Sequence, residues 1–150
     1  MSAESRPFAE ETTGVGLGNS VGIPLIIISR SDDHATTINT ILRDSGHPVH
    51  CTRVNDLTLL CEQLSALNPE LVLYFSGNTE VDLAAAAAGI ARCSTQPPLL
   101  LVQNQVDEQG IATALESGAR DVVSLTHRNR LRAVVTRELH AHRLRVALEG

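Results

Sequence analysis

The acidic residues Asp32 and Asp33 are the side chains of this chain whose type and spacing best suit a metal ion. Carboxylate oxygens are the ligands that hard cations such as Mg2+ prefer. The pair follows the apolar run of residues 25–28, where a parallel strand would end and its helix begin, and ligands bind at such places in open α/β sheets. Either carboxylate could instead cap the following helix by accepting hydrogen bonds from its N–H groups. Because capping explains both residues, we predict no metal and no cofactor.

Three other groupings lack the spacing that their chemistry needs. Gly14, Gly16 and Gly18 precede the first predicted strand, whereas dinucleotide-binding glycines follow a strand and open a helix. The histidines show neither HExxH nor zinc-finger spacing. The cysteines show no CxxC spacing and fit small buried residues in a reducing compartment. The histidines are His34, His47, His50, His127, His140 and His142, and the cysteines are Cys51, Cys61 and Cys93.

Composition excludes several classes of function. The chain has no lysine, since all 12 of its Lys and Arg residues are Arg, and this rules out a Schiff base, a Walker A lysine and a kinase lysine. One Tyr, two Phe, no Trp and a net charge of −5 argue against nucleic acid, which needs stacking platforms and positive charge. We see no signal peptide and no apolar run long enough to span a membrane. We therefore expect a cytoplasmic chain with no nucleic-acid partner and no membrane span.

Apolar runs and helical stripes alternate along the chain after a polar leader. Residues 1–22 lack periodicity, which predicts a disordered leader followed by one domain at residues 23–150. Each of five apolar runs precedes a segment with apolar residues at helical spacing. Strict alternation predicts an α/β fold, a doubly wound five-stranded parallel sheet with helices on both faces. The predicted strands are about residues 25–29, 49–53, 70–75, 99–102 and 121–124. The first predicted helix is capped by Asp32 or Asp33, the second by Asn55 or Asp56, and the others begin near residues 80, 107 and 126.

Four stretches of this pattern resemble the receiver domain of two-component response regulators. Residues 69–75, PELVLYF, are similar to the family's PDLVLLD strand, and residues 98–104, PLLLVQN, to its PIIxLTA strand. Residues 118–126, GARDVVSLT, are similar to GADDYLxKP, and residues 25–47 match the family's first strand–helix unit. The resemblance covers residues 24–148 and implies a CheY-like, flavodoxin-like (βα)5 fold.

The positions that do the family's chemistry hold other residues here. A receiver accepts a phosphoryl group on an Asp, with an acidic pair that holds Mg2+ and with a Thr or Ser and a Lys that bind the phosphoryl oxygens. In this chain the acidic pair corresponds to Ser29 and Arg30, and the acceptor corresponds to Phe75. The hydroxyl corresponds to Gln103 and the lysine to Leu125. The resemblance therefore implies a pseudo-receiver that is not an enzyme, with the fold kept and phosphoryl transfer lost.

Two alternatives to this interpretation stay open. Asp32 and Asp33 could be displaced metal ligands of a phosphorylation-competent receiver, with Ser76 as a substitute acceptor. The chain could also sense a small ligand in an emptied crevice around Ser29, Ser76 and Gln103.

The last predicted helix is rich in arginine, and Leu144 and Leu148 continue its apolar positions beyond the length that a sheet needs. In receivers the fourth helix, fifth strand and fifth helix form the usual dimer face, so the resemblance implies a homodimer. The predicted interaction surface is Arg128, Arg132, Val135, Leu139 and His142.

The same segment resembles the exit helix that precedes PAS, GGDEF and EAL modules in cyclic-di-GMP signalling proteins of the FimX type. Those proteins regulate type IV pili and twitching motility, and their degenerate receiver helps them to dimerise and localise. The resemblance implies downstream domains as further partners of this chain. It places no cyclic-di-GMP site within residues 1–150.

Overall fold

The computed structural model describes residues 22–149, and the predicted leader lies outside them except for Gly22. Five strands alternate with five helices, as predicted. Four of the strands differ from their predicted bounds by no more than one residue at either end. The elements are β1 (Ile23–Ile28), α1 (Asp32–Asp44), β2 (Val49–Val54), α2 (Leu57–Leu67), β3 (Leu71–Phe75), α3 (Leu83–Ala91), β4 (Leu99–Val102), α4 (Glu108–Glu116), β5 (Asp121–Val123) and α5 (Arg128–Glu149).

The strands form one parallel sheet in the order β2-β1-β3-β4-β5. Leu25 lies opposite both Cys51 and Leu71, and Leu100 lies opposite Leu73 and Asp121. This order reverses direction between β1 and β3, which is the flavodoxin-like arrangement with its switch point at these two strands. The predicted fold class is confirmed.

Side chains of the central strand β3 alternate between two cores. Leu71, Leu73 and Phe75 pack with α1 and α5, whereas Val72 and Tyr74 pack with α2, α3 and α4. All five residues are less than one-tenth exposed, so β3 is buried on both faces. A strand buried in this way reads as a continuous apolar run rather than as an alternating one.

The N-terminal ends of two helices differ from the prediction, α1 in its N-cap and α3 in its first residue. Ser31, not Asp32 or Asp33, caps α1, and its hydroxyl accepts a hydrogen bond from the Asp33 N–H. Helix α3 begins at Leu83 rather than near residue 80, and Asp82 is its N-cap instead of lying inside the helix. In both cases the cap is a residue with extended backbone. Neighbouring polar residues have side chains that could also cap a helix, so residue type alone does not identify the cap.

Helix α5 has 22 residues, or about 33 Å of helix. The longest strands have six residues, or about 20 Å. The last turns of α5 therefore extend past the sheet that its first turns cover. Among residues 22–149, no helix is both long and apolar enough to cross a membrane.

Candidate functional site

The five residues that the sequence analysis matched to the chemical positions of receiver domains all lie at the carboxyl edge of the sheet. Ser29 and Arg30 follow β1, Phe75 ends β3, Gln103 follows β4, and Leu125 lies just beyond β5. Parallel strands bring these ends together because every strand points the same way. The structure does not join the five side chains into one cluster, however. They separate into a buried stack, a pair of arginine contacts and a polar cavity.

The buried stack joins Ser29, His34 and Phe75. The His34 and Phe75 rings lie 4.1 Å apart at their centroids and are tilted by only 9°. Ser29 is fully buried, and its Oγ lies 2.6 Å from Nδ1 of His34. The same Oγ accepts a hydrogen bond of 3.0 Å from the Ser31 N–H. The end of β3 is thus covered by an aromatic ring that a buried hydroxyl orients.

Burial sets the charge state of His34. Desolvation lowers the pKa of His34 below its ordinary value, although the nearby Asp33 carboxylate acts in the opposite direction. The neutral ring is therefore favoured at pH 7, and Nδ1 of His34 shares one hydrogen bond with the Ser29 hydroxyl, whose direction the tautomer of the ring sets. A neutral imidazole stacks on the Phe75 ring without burying a charge. Sequence reasoning missed His34, because nothing in its local pattern signals a contact with a residue 41 positions later.

Two acidic side chains at this edge of the sheet form ion pairs with arginines. Arg30 pairs with Glu80 at 3.1 Å, and both side chains are mostly exposed. Arg53 pairs with Asp32 and also donates a hydrogen bond of 2.9 Å to the Ser29 carbonyl. The carboxylate considered as a displaced metal ligand is thus engaged by a guanidinium. Among residues 22–149, no group of three or more His, Cys, Asp or Glu side chains could hold a metal ion.

The cavity lies on the other face of the sheet from Phe75, between α3 and α4. It has a volume of about 340 Å3, and its lining combines polar residues, Ser76, Gln103, Asp107 and Thr113 among them, with the apolar Leu83, Leu101 and Ala114. Two of the three residues predicted to line an emptied crevice are therefore present. Ser29 is not among them, because its buried side chain points toward His34. The ligand crevice predicted from sequence is corrected to this cavity.

Leu125 lies at the remaining family position, after β5. It is partly buried and packs on the α1 and α5 side of the core. Next to it, Ser124 is buried, and its hydroxyl lies 2.8 Å from the Thr126 hydroxyl and 3.3 Å from the Asn104 carbonyl. The Ser124 hydroxyl therefore has hydrogen-bond partners within the chain. Leu125, which was matched to the lysine of receiver domains, is a packing residue here.

The interaction surface predicted on α5 is corrected at three of its five positions. Val135, Leu139 and His142 are each no more than 5% exposed, since their stripe of the helix covers the sheet. Arg128 is exposed and Arg132 is half-buried on the same stripe. The five residues recur at i, i+4 and i+7, and the core residues of a helix recur in the same way. They were therefore chosen from the buried side of α5.

The side of α5 that lies along β5 carries different residues. Arg130 and Arg137 both contact Asp121 of β5, at 3.0 and 3.1 Å. Burial works against ionisation of Asp121, but hydrogen bonds from the Val122 N–H, Arg137 and Arg130 lower its pKa overall. Helical periodicity places Leu144 and Leu148 on this same side. They are 55% and 81% exposed, so this side offers the apolar surface that the buried stripe cannot.

Comparison with known proteins defines the fold. No protein-family model and no curated protein matches the chain. A structure of a protein from Burkholderia pseudomallei, described as pilus assembly-related, is 19% identical and has a TM-score of 0.63, with 79% of this chain and 90% of that chain covered. The receiver domain of a protein from Vibrio parahaemolyticus, described as a Luxo repressor, is 14% identical and has a TM-score of 0.71, with 87% and 99% covered.

A third similar structure belongs to a longer chain. NtrX from Brucella abortus is 18% identical and has a TM-score of 0.67, and the match covers 86% of this chain but only 29% of that chain. At these identities the likeness establishes the fold. The five parallel strands and five helices are those of a CheY-like receiver domain.

Proposed function

We propose that this chain, which has the fold of a response-regulator receiver domain, is a signalling module that takes no phosphoryl group and acts through protein contacts. The stack of His34 on Phe75 carries this proposal. A phenyl ring has no oxygen that could attack a phosphoryl group, and the stacked imidazole covers the end of β3 where the family places its aspartate. Phe75 is only 3% exposed, so the position is filled rather than vacant.

Charge at the same edge supports the proposal. Phosphoryl transfer needs cations that neutralise the charge on the transferring group. Arg30 and Arg53 stand near the site, but each is paired with a carboxylate, Glu80 and Asp32 respectively. The chain has no lysine that could take the family's place after β5. The alternative of displaced acidic ligands would require Asp32 to leave Arg53.

The direct test is phosphoryl uptake. We expect no acid-labile mass increase when the chain is incubated with acetyl phosphate and Mg2+, and no rise in melting temperature with Mg2+ and beryllofluoride. A phosphorylatable receiver treated in parallel should show both, because a ligand bound only by the folded state raises its stability. A phosphoryl group mapped to any residue of the wild-type chain, Ser76 included, would overturn the proposal.

For the contacts that the module makes, we propose a homodimer through α4, β5 and α5. Leu144 and Leu148 on α5 and Leu115 on α4 are three of the four large apolar side chains exposed among residues 22–149. Two helices of the expected face thus carry apolar side chains in contact with water. Such side chains mark interaction sites when they are grouped.

We further propose that the module belongs to a larger cyclic-di-GMP signalling protein of the FimX type, and that α5 leads into its downstream domains. The projecting C-terminal turns of α5 support a role as a connecting helix. The pilus assembly-related description of one similar structure agrees with a role in type IV pilus or twitching regulation. Deletion of the encoding gene should reduce twitching, and full complementation by residues 22–149 alone would contradict the need for downstream domains.

The cavity of about 340 Å3 between α3 and α4 supports a second candidate function, the sensing of a small polar ligand. A screen of small polar metabolites by thermal shift would test it. A ligand of the cavity should raise the melting temperature of the wild-type chain in a saturable way, and the substitution Gln103→Ala should remove this rise. A shift that survives this substitution would contradict binding in the cavity.

A further inference from the structure

Two of the three cysteines have their sulfur atoms close to the same glycine, Gly89. Cys61 is on α2, and its Sγ is 3.6 Å from the point that a Cβ atom on Gly89 would occupy. Cys93 lies in the turn after α3, and its thiol donates to the Gly89 carbonyl at 3.6 Å. Residue 89 has no side chain that would fill the space beside the Cys61 sulfur, and the other atom close to that point is Cδ1 of Leu64, at 3.8 Å. The packing of α2 against α3 thus brings together cysteines that are 32 positions apart.

The two thiols differ in their exposure to solvent. Cys61 is exposed, which differs from the expectation of buried cysteines, and Cys93 is half-buried. Burial raises the pKa of Cys93, and the neighbouring Cys61 raises it further. The effect of one thiol on the other is consistent with their placement around Gly89. The third cysteine, Cys51, lies in β2, where burial raises its pKa to about 11 and leaves little reactive thiolate.

We propose that Cys61 and Cys93 form a reversible intramolecular disulfide that joins α2 to the end of α3 when the chain meets a disulfide oxidant. The bond requires the sulfur atoms to approach to about 2.05 Å. Both side chains would have to rotate about χ1 toward Gly89, the residue that each sulfur already approaches. Cys93 lies outside the regular helix, so its backbone can adjust without breaking the ladder of α3.

The chemistry is thiol–disulfide exchange in two steps. The exposed Cys61 thiolate attacks one sulfur of a small disulfide such as oxidised glutathione, and one glutathione thiolate leaves. The Cys93 thiolate then attacks Sγ of Cys61 in this mixed disulfide and expels the glutathione that was held there. Two thiols have lost two electrons, oxidised glutathione has gained them, and the two protons end on the two released glutathione molecules.

The disulfide would act on a segment that α5 also holds. Residues 92–98 connect α3 to β4, and Arg145 of α5 donates hydrogen bonds to the carbonyls of Thr95 and Gln96 at 3.0 and 2.8 Å. Joining Cys93 to α2 restrains the start of this segment. The oxidation state of one thiol pair is thereby linked to the helix that is proposed to connect the module to its partners.

Peptide mapping tests the proposal because trypsin places each cysteine on a separate peptide. With arginine as the only tryptic site, Cys51 falls in residues 44–53, Cys61 in residues 54–92 and Cys93 in residues 93–120. After treatment with oxidised glutathione, we expect residues 54–92 linked to residues 93–120, the loss of two of the three titratable thiols, and full reversal by dithiothreitol. The oxidised protein should have the higher melting temperature, because the link restrains the unfolded chain.

Serine variants provide the controls. Cys51→Ser should form the same link, whereas Cys61→Ser and Cys93→Ser should not, and Cys93→Ser should retain glutathione on Cys61. A circular dichroism spectrum of each reduced variant checks that it is folded. The proposal is overturned if the link forms only between two chains, if it involves Cys51, or if no peptide pair is linked at full oxidation.

Discussion

At the scale of single residues, the account depends on what fills the end of β3. Phe75 is buried, stacks on His34 and belongs to the core between the sheet, α1 and α5. That a phenylalanine ends β3 could be read from the sequence, because the apolar run predicts where this strand stops. The contact with His34 could not, because it depends on how α1 packs against the sheet.

The first prediction concerns the stability that Phe75 provides. Phe75→Ala should lower the free energy of unfolding by about 3–5 kcal/mol, since it removes a buried ring and leaves a cavity under His34. Urea denaturation monitored by circular dichroism measures the change. Leu57→Ala is the matched control, because Leu57 is 42% exposed and its loss opens no cavity. Equal effects of the two substitutions would contradict the packing role of Phe75.

The second prediction concerns pH. Burial lowers the pKa of His34 and of His142 below the unfolded value of 6.5, and Arg145 adds to the effect at His142. A depressed pKa means that the folded state prefers the neutral ring. The stability is therefore fully present above pH 6.5 and is lost as the pH falls from there toward the folded pKa.

Urea midpoints at about pH 7.5 and about pH 5.5 measure this loss. The wild-type midpoint should be lower at the acidic pH, and His142→Gln should reduce the difference. His140→Gln is the control, since His140 is exposed on the same helix. A pH dependence unchanged by His142→Gln would exclude His142 as a cause.

At the scale of elements, the helix boundaries show which features of a helix could be predicted from the sequence and which could not. Polar residues before α1 predicted that a cap exists, but Ser31, Asp32 and Asp33 are all competent caps. Only the backbone conformation at Ser31, which is extended, decides among them. The same limit applied to α5, where arginine and apolar residues recur on both sides. The predicted interface fell on the buried stripe because helical periodicity alone does not say which stripe faces the sheet.

The third prediction follows from the α1 cap. Ser31→Ala should destabilise the domain by about 1 kcal/mol, because the Asp33 N–H loses its partner. Asp33→Asn should have a smaller effect, since Asp33 contributes only its interaction with the helix dipole. Urea denaturation of both variants decides the matter. A larger loss for Asp33→Asn would restore Asp33 as the important residue of this helix start.

At the scale of the whole molecule, topology was the most predictable feature. Five apolar runs, each followed by a helical stripe, leave few arrangements once crossovers are right-handed and both faces of the sheet are covered. The observed sheet order and the structural likeness to receiver domains agree with that prediction. Assembly is less predictable from sequence, because it depends on which side chains remain exposed after the core has formed.

The fourth prediction concerns the exposed leucines of α5. Leu144→Asp combined with Leu148→Asp should abolish the proposed homodimer and leave the fold unchanged, because both side chains point into solvent in the isolated domain. Light scattering at several protein concentrations measures the mass. Leu57→Asp places the same charge on an exposed leucine of α2, away from the proposed face, and should leave the dimer intact. A dimer that survives the double substitution would place the contact elsewhere.

Sedimentation velocity over a concentration series, with and without Mg2+ and beryllofluoride, tests the central claim most directly. The claim is that this receiver fold assembles without phosphoryl chemistry. It predicts a dimer whose fraction rises with protein concentration and is the same with and without Mg2+ and beryllofluoride. A monomer that dimerises only when Mg2+ and beryllofluoride are present would contradict it, because the edge of the sheet closed by Phe75 and His34 would then still bind a phosphoryl mimic.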